Sequence, residues 1–334
     1  MMQKSTRRAF FRTMAAGAVG ALVGGWGVER LLTGWHATQY NAPALPLTGR
    51  SVEPLTVTTA GGITLHAIQT GYVAVKTAHR QYSGADGTGV LAIAADPHWT
   101  GWMPIHTWVI EHPEGVIVVD TGETAQINTP GYVDCDPVTG MIYRSFLRFA
   151  VTPEDEIASQ LADLGIRPDS VRWVVQTHLH SDHAGGLSVF PSSEYLLSSI
   201  DYPQQLGALM CHYPTDFNPT LITFTGERLP GFERSHAVTR AGDVWIVPTP
   251  GHTAGHQSVI FHDGQKAYCL AGDTSFDDAQ LLSGATAGIA TNPAAARASL
   301  AALRTFAADT PLVYLPSHDP NARQRLIDGT TVSV

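Results

Sequence analysis

His178-Leu179-His180-Ser181-Asp182-His183 follows the apolar, β-branched run Val171-Arg172-Trp173-Val174-Val175-Gln176-Thr177, and the join between the two decides the fold. The run predicts a buried strand. The six residues after it hold three imidazoles and a carboxylate, so ligand-type side chains gather where a strand gives way to a loop. In extended backbone alternate side chains share a face. His178, His180 and Asp182 are therefore expected to point one way, with His183 starting the next element. Imidazole and carboxylate are the usual ligands of catalytic zinc, and a cluster free of cysteine argues against a closed structural zinc site. The stretch reads as a hydrolytic metal centre.

Strand and helix signals recur on both sides of it. Thr107-Trp108-Val109-Ile110-Glu111 and Val116-Ile117-Val118-Val119-Asp120, separated by His112-Pro113-Glu114-Gly115, predict a hairpin. Thr152-Pro153-Glu154-Asp155 predicts a helix N-terminus ahead of Ile157, Leu161 and Leu164, with Gly165 ending that helix. Further strands are expected at 244–247, 257–262, 267–270 and 312–315. Asn292-Pro293 is expected to cap an alanine-rich helix over 294–308. This order predicts an α/β fold, an αββα sandwich of two mixed sheets flanked by helices. Segments 76–103, 128–149 and 202–236 are rich in Pro, Gly and aromatics and are expected to be irregular and to shape a pocket.

Composition narrows the function. The chain has 334 residues, 44% hydrophobic and 15% charged, which fits a globular protein with a sizeable core. A formal charge of -9 leaves no broad basic surface for a phosphate backbone, so no nucleic-acid partner is expected. Cys135, Cys211 and Cys269 can form at most one disulfide. At the N-terminus, Arg7-Arg8 precedes a mild apolar run over 14–28, which matches a twin-arginine export signal. That run has about 15 residues, short of the roughly 20 that span a bilayer. Residues 1–44 are expected to be export signal and linker, with Ala42-Pro43-Ala44 as the cleavage site and Ala37 as its competitor, and 45–334 a single catalytic domain. The twin-arginine export machinery is then a partner, and the product is periplasmic or secreted. The alternative is a membrane tether through an uncleaved N-terminus. Twin-arginine transport carries folded proteins, which suits a chain that acquires metal before crossing.

Three further segments place ligand types after predicted strands: Gly251-His252-Thr253-Ala254-Gly255-His256, Ala271-Gly272-Asp273-Thr274-Ser275-Phe276 and Leu315-Pro316-Ser317-His318-Asp319-Pro320. With the first cluster they resemble the metallo-β-lactamase-fold hydrolases over nearly all of the chain after the export signal. The resemblance implies one metal held by His178, His180 and His252, a second held by Asp182, His183 and His318, and Asp273 bridging the two. Two divalent ions are expected, zinc being the first choice. Asp120, in Val119-Asp120-Thr121-Gly122, is the candidate that orients the ligand loop from behind, with a plain turn aspartate as the competing role. The other ten histidines, His256 among them, are expected to be structural or on the surface.

Within that family the chain resembles the N-acyl homoserine lactonase branch, on residues 105–115, the Asp120-Thr121-Gly122 turn and the ending at 315–319. The implied activity is opening of a lactone or related ester by attack of a metal-bridging hydroxide. Asp273 and Asp182 are the catalytic carboxylates, Asp182 delivering a proton to the leaving oxygen. A small-molecule ester or lactone is the expected partner. One position departs from the branch. A tyrosine three residues after the bridging aspartate hydrogen-bonds the lactone carbonyl in such lactonases, and here the substrate-side residue is Phe276, which has no hydroxyl. A phosphotriesterase or general esterase is therefore the alternative. β-Lactam hydrolysis is a lesser reading, because the β-lactamases of this fold lack the bridging aspartate. A non-catalytic binding protein is lesser still, because no ligand position is eroded.

Overall fold

Alternation along the strands sorts the apolar side chains into layers, and the layers define the architecture. The computed structural model describes residues 52–203 and 206–334. Its first eight strands in chain order are β1 (Leu55–Thr58), β2 (Thr64–Val75), β3 (Met103–His112), β4 (Gly115–Val119), β5 (Leu147–Ala150), β6 (Val171–Val175), β7 (Glu194–Ser198) and β8 (Thr220–Ile222). The rest are β9 (His236–Ala237), β10 (Val244–Pro248), β11 (Gln257–His262), β12 (Ala267–Gly272) and β13 (Leu312–Pro316). The helices are α1 (Thr77–Arg80), α2 (Gly89–Ala95), α3 (Pro137–Phe146), α4 (Ile157–Asp163), α5 (Ser181–Ala184), α6 (Asp278–Ser283), α7 (Pro293–Asp309) and α8 (Ala322–Asp328).

One sheet runs β1-β2-β3-β4-β6-β7-β8 with β5 paired to β2, and the other runs β13-β12-β11-β10-β9. Each mixes orientations. β3 and β4 are antiparallel while β4, β6, β7 and β8 are parallel, and β12 pairs parallel to β13 in an otherwise antiparallel sheet. Trp173 and Val175 of β6 join Val244, Ile246, Val259 and Leu270 of the other sheet in the central core. Val174, one residue out of phase, packs outward on Ile157 and Leu161 of α4. Val247, Ile260 and Tyr314 pack outward on Leu300, Leu303 and Phe306 of α7. Period-two alternation with both faces buried requires a helical cover on each side, and the result is the expected αββα sandwich. Truncating Leu303, fully buried in this layer, to alanine would cost about 2–5 kcal/mol.

The hairpin, the Asn292 cap and the strands in the second half lie where the sequence placed them. Asn292 Oδ1 accepts from the Ala295 amide at 3.0 Å. The expected cap at Thr152 is corrected. The Asp155 carboxylate accepts from the Thr152 amide and hydroxyl, both at 2.9 Å, which closes a turn, and the helix starts only at Ile157. Gly165 follows the helix at φ 71°, as a left-handed terminator should. Two of the segments expected to be irregular contain helices. α1 and α2 fall within 76–103, and α3 within 128–149, where Asp136 Oδ1 accepts from the Val138 and Thr139 amides and Pro137 opens the helix. Cys135 and Cys211 form the disulfide and Cys269 is free and buried. The export signal and its cleavage site lie outside the described residues. Among the described residues no helix is long and apolar enough to cross a membrane.

Candidate metal centre

Parallel strands deliver their C-terminal ends to one edge of the sandwich. His178 and His180 follow β6, Asp120 follows β4, Asp273 follows β12 and His318 follows β13. His252 comes from the loop between β10 and β11. Backbone bonds lock the two sheets together there: the Gln257 amide donates to Thr177 O at 3.0 Å and the His106 amide to Ser317 O at 2.9 Å. Asp201 holds the His252 loop, accepting from the Thr253 hydroxyl and the Gly255 amide, both at 2.6 Å. The segment after β6 departs from the sequence reading at one point. His178 and His180 are extended and share a face, but Asp182 lies in α5 with His183, because the chain turns helical at Ser181. Asp182 therefore faces His183 and His318 and not His178.

The candidate ligands form two triads. In the first, His180 Nδ1 lies 3.0 Å from His178 Nε2 and 2.9 Å from His252 Nε2. In the second, His318 Nε2 is 3.5 Å from Asp182 Oδ2 and His183 Nε2 is 3.9 Å from Asp182 Oδ1. Asp273 stands between them. Its Oδ2 is 3.4 Å from His252 Nε2, and its Oδ1 is 3.3 Å from both His183 Nε2 and His318 Nε2. All seven residues that the resemblance nominated are brought together, in the grouping that it implied.

Hydrogen-bond accounting on the far side of each ring fixes which nitrogen is free. His183 Nδ1 donates to Asp120 Oδ2 at 2.8 Å, His318 Nδ1 to Pro104 O at 2.8 Å and His180 Nε2 to Leu206 O at 3.1 Å. The Thr177 hydroxyl donates to Asp120 Oδ2 at 2.8 Å, so at 3.0 Å it can only accept from His178 Nδ1. In four of the five rings the proton of the neutral form is thus held on the far side, which leaves the inward nitrogen available to a cation. His180 Nδ1 lies within 3.0 Å of both His178 Nε2 and His252 Nε2, and the facing acceptors of His178 and His180 cannot bond to each other, whereas one cation satisfies all three nitrogens. Behind Asp273, His183 Nε2 and Asp273 Oδ1 are buried without hydrogen-bond partners. The donor set fits two divalent cations, and imidazole with carboxylate suits zinc, manganese, iron or cobalt.

Electrostatics follow the same division. Burial, with the neighbouring histidines adding to it, holds His178 well below the usual histidine range; burial does the same to His252. For His183 burial pulls down, but the charges of Asp273, Asp120 and Asp182 outweigh it and push the ring well above its ordinary value. Asp273 is held well below the carboxylate range, burial being overcome by His318, His183 and His252. Asp273 is thus ready to sit beside positive charge.

Asp120 takes the orienting role and not that of a plain turn residue. Besides His183 and the Thr177 hydroxyl it accepts from the Thr177 amide at 2.7 Å, and its φ of 60° is the one positive value at a non-glycine among the described residues. Phe276 is buried and stacks on His318, with ring centroids 5.5 Å apart. His256, expected to be structural or on the surface, is a buried structural residue. Its Nε2 accepts from the Asp273 amide at 3.0 Å while Nδ1 meets the Thr249 hydroxyl at 2.9 Å, so it fixes the peptide that carries the bridging carboxylate. Gly-His-Thr-Ala-Gly-His carried a signal, two histidines in one short loop, but nothing in it pointed across to β12. Glu123 was also missed. It is fully buried, accepts from the Ser181 hydroxyl and the Thr124 amide, and is pushed up to about 8 by burial.

Residues 100–318 match the family model of the metallo-beta-lactamase superfamily. An N-acyl homoserine lactonase of Bacillus thuringiensis is 30% identical over 173 residues, which cover 50% of this chain and 62% of that protein. A Mycobacterium tuberculosis protein named as a metallo-hydrolase is 29% identical over 182 residues, 51% of this chain and 56% of that protein. The matches thus span less than two thirds of these relatives. Among solved structures, an N-acyl homoserine lactone hydrolase with N-hexanoyl-L-homoserine at its catalytic metal center superposes with a TM-score of 0.61 at 21% identity, covering 78% of this chain and 94% of that one. AidC, a dizinc quorum-quenching lactonase, superposes at 0.56 with 16% identity, covering 80% and 92%. At these identities the superpositions show the shared fold.

Proposed function

The chain belongs to the metallo-beta-lactamase superfamily, and from that membership we propose that it is a dinuclear metal-dependent hydrolase that opens a lactone or related carboxylic ester, N-acyl homoserine lactones being the first candidates. The observation that carries the reading is Asp273, whose two oxygens face different triads while the rings around it turn free nitrogens inward. His178, His180 and His252 would hold one divalent ion and Asp182, His183 and His318 the other, with zinc the first choice. Bound there, the pair would supply Lewis acidity and activate water near neutral pH.

The chain's own groups do the rest. Asp273 keeps the two triads in register, and His256 and Asp120 hold their backbones and tautomers. Asp182 is the carboxylate most open to a substrate, its side chain 10% exposed against 5% for Asp273 and 1% for Asp120. It is placed to hand a proton to the leaving oxygen. Asp182→Asn should lower kcat while leaving most of the metal bound; undiminished kcat would remove the proton-transfer role.

Names of relatives support the lactone, and Phe276 supports a second reading, a phosphotriesterase or general esterase, because it offers no hydroxyl to a lactone carbonyl. A hydrolysis panel of lactones, aryl esters, phosphotriesters, thioesters and β-lactams, run with and without chelator, separates them. Activity on phosphotriesters and none on lactones would replace the first reading, and activity unaffected by a chelator that strips the metal would defeat both. We also place the protein outside the cytoplasm, exported by the twin-arginine machinery. The Cys135–Cys211 bridge supports this, since disulfides persist in oxidising compartments.

A further inference from the structure

Cys135, Cys211 and His212 form a further cluster of ligand-type side chains, and it shares no residue with the seven of the metal centre. Cys135 closes the one-turn helix Tyr132–Cys135 that leads into α3, and Cys211 and His212 lie in another, Met210–His212. All three are exposed, and one donor atom from each lies within 4.8 Å of the other two. Bonds to zinc of about 2.3 Å from sulfur and about 2.0 Å from nitrogen, set at the tetrahedral angle, hold those two atoms ~3.5 Å apart. Cys135 Sγ and His212 Nε2 are 3.5 Å apart. The His212 ring is steadied there by Tyr132, on whose ring it stacks with centroids 3.8 Å apart and to whose carbonyl Nε2 donates at 2.8 Å.

The cysteines are joined as a disulfide, and an exposed disulfide is open to exchange with a dithiol. One thiolate of the dithiol attacks a sulfur of the bridge, its second thiol resolves the mixed disulfide, and the dithiol leaves oxidised. Two electrons and two protons pass to the pair, which becomes two thiols. Two sulfurs on one zinc stand about 3.8 Å apart against about 2.0 Å in a disulfide, a difference that side-chain rotation covers with the Cα atoms held 6.3 Å apart.

We propose that the thiol form of this cluster is a metal site of its own, in which Cys135, Cys211 and His212 hold one thiophilic divalent cation, zinc in the first place. Binding releases the two thiol protons, and the single imidazole proton moves from Nε2 to Nδ1, since the ring ligates through Nε2. Water completes the shell on the exposed side. Metal and disulfide are then alternative clasps between the same two segments. That junction supports the first triad: the Tyr143 hydroxyl of α3 donates to Gly207 O at 2.5 Å, and the adjoining Leu206 carbonyl accepts from His180 Nε2 at 3.1 Å. On the export reading the chain folds in a reducing compartment, where a disulfide does not persist and the metal clasp takes its place. The site itself depends neither on export nor on the hydrolase reading.

The test titrates cobalt(II) into the full-length protein, once oxidised and once reduced by a dithiol that is then removed without air. Imidazole and carboxylate give no sulfur-to-metal charge transfer, so a near-ultraviolet charge-transfer band reports thiolate ligation. The reduced protein is expected to take one cobalt equivalent more than the oxidised protein and to show the band, which zinc should abolish by displacement. Equal stoichiometry with no band overturns the proposal. Cys135→Ser with Cys211→Ser should lose both the extra equivalent and the band; a band that persisted would belong to Cys269, the remaining thiol, and would overturn it too. His212→Ala should weaken the extra equivalent by roughly 10- to 100-fold or more, since loss of even an outer partner costs that much. Unchanged affinity would remove His212 and with it the site as drawn. Should the double variant fail to fold, the oxidised and reduced forms of the unaltered protein decide. A protein that hydrolyses no ester yet gains the band on reduction would keep this inference and lose the hydrolase reading.

Discussion

Replacing Asp120 by asparagine changes one atom and should disturb both of the proposed metal sites. In the native arrangement Asp120 Oδ1 accepts from the Thr177 amide, and Oδ2 accepts from both the Thr177 hydroxyl and His183 Nδ1. An asparagine that keeps its oxygen toward the Thr177 amide must turn its NH2 toward the other two. His183 Nδ1 then becomes an acceptor and its proton moves to Nε2, the nitrogen that faces Asp182 and Asp273. The Thr177 hydroxyl, now accepting, is free to donate to His178 Nδ1, which moves that ring's proton to Nε2 as well. The opposite amide orientation sets two buried donors face to face. Disturbing the group behind one ligand typically lowers metal affinity 10- to 100-fold, about 1.4–2.8 kcal/mol, and here one ligand in each triad is affected. The measurement is zinc affinity at both sites by competition with a chromophoric chelator, with circular dichroism to confirm the fold and 15N shifts to report the tautomers. Two equivalents bound at wild-type affinity, with His183 still protonated on Nδ1, would refute the tautomer argument.

Three other outcomes are expected. Gly272 sits at φ 55°, and a Cβ there would lie 2.7 Å from Thr177 Oγ1 and 2.8 Å from His256 Nε2, so Gly272→Ala should cost about 1–3 kcal/mol on overpacking alone, read as a lower Tm, and reduce zinc binding by displacing Asp273. In the metal-free protein Glu123, raised from 4.5 to about 8 by burial, binds a proton in the folded state that the unfolded chain has released. Its stabilising contribution is complete below the unfolded value and is lost as pH rises through about 8. Urea titrations between pH 5 and 8 should therefore show wild type losing about 1.4 kcal/mol per pH unit relative to Glu123→Gln, and parallel curves would contradict it. The Cys135–Cys211 bridge closes a loop of 76 residues, so its removal by Cys135→Ser with Cys211→Ser should cost roughly 4 kcal/mol in urea unfolding. That bridge also ties α3 to the segment whose Leu206 carbonyl holds His180, so zinc affinity at the first triad should fall with it.

Candidate ligands could be nominated from sequence because each sits just past a strand signal in segments that resemble a known family, and side-chain chemistry there is written in the residue names. The seven residues needed no distances to be nominated. Supporting residues were harder to see. His256 fixes Asp273 from seventeen positions away and Asp120 fixes His183 from sixty-three, and no periodicity encodes such pairings. Cys135 and His212 meet from seventy-seven positions apart, in segments whose Pro, Gly and aromatic content hid two one-turn helices.

The order of strands and helices and the buried character of β6 were determined by the sequence alone, because period-two burial and capping residues act within a few neighbouring positions, and the candidate ligand set was implied by the resemblance of four segments to a known family. Tertiary structure decided the rest. It brought the seven candidate ligands within reach of one another, turned Asp182 away from the face of His178 by starting α5 at Ser181, and set the tautomers through Asp120 and Thr177. Those outcomes depend on which strand ends meet at the edge of two packed sheets, a long-range consequence of burying both faces of each sheet that local sequence does not specify.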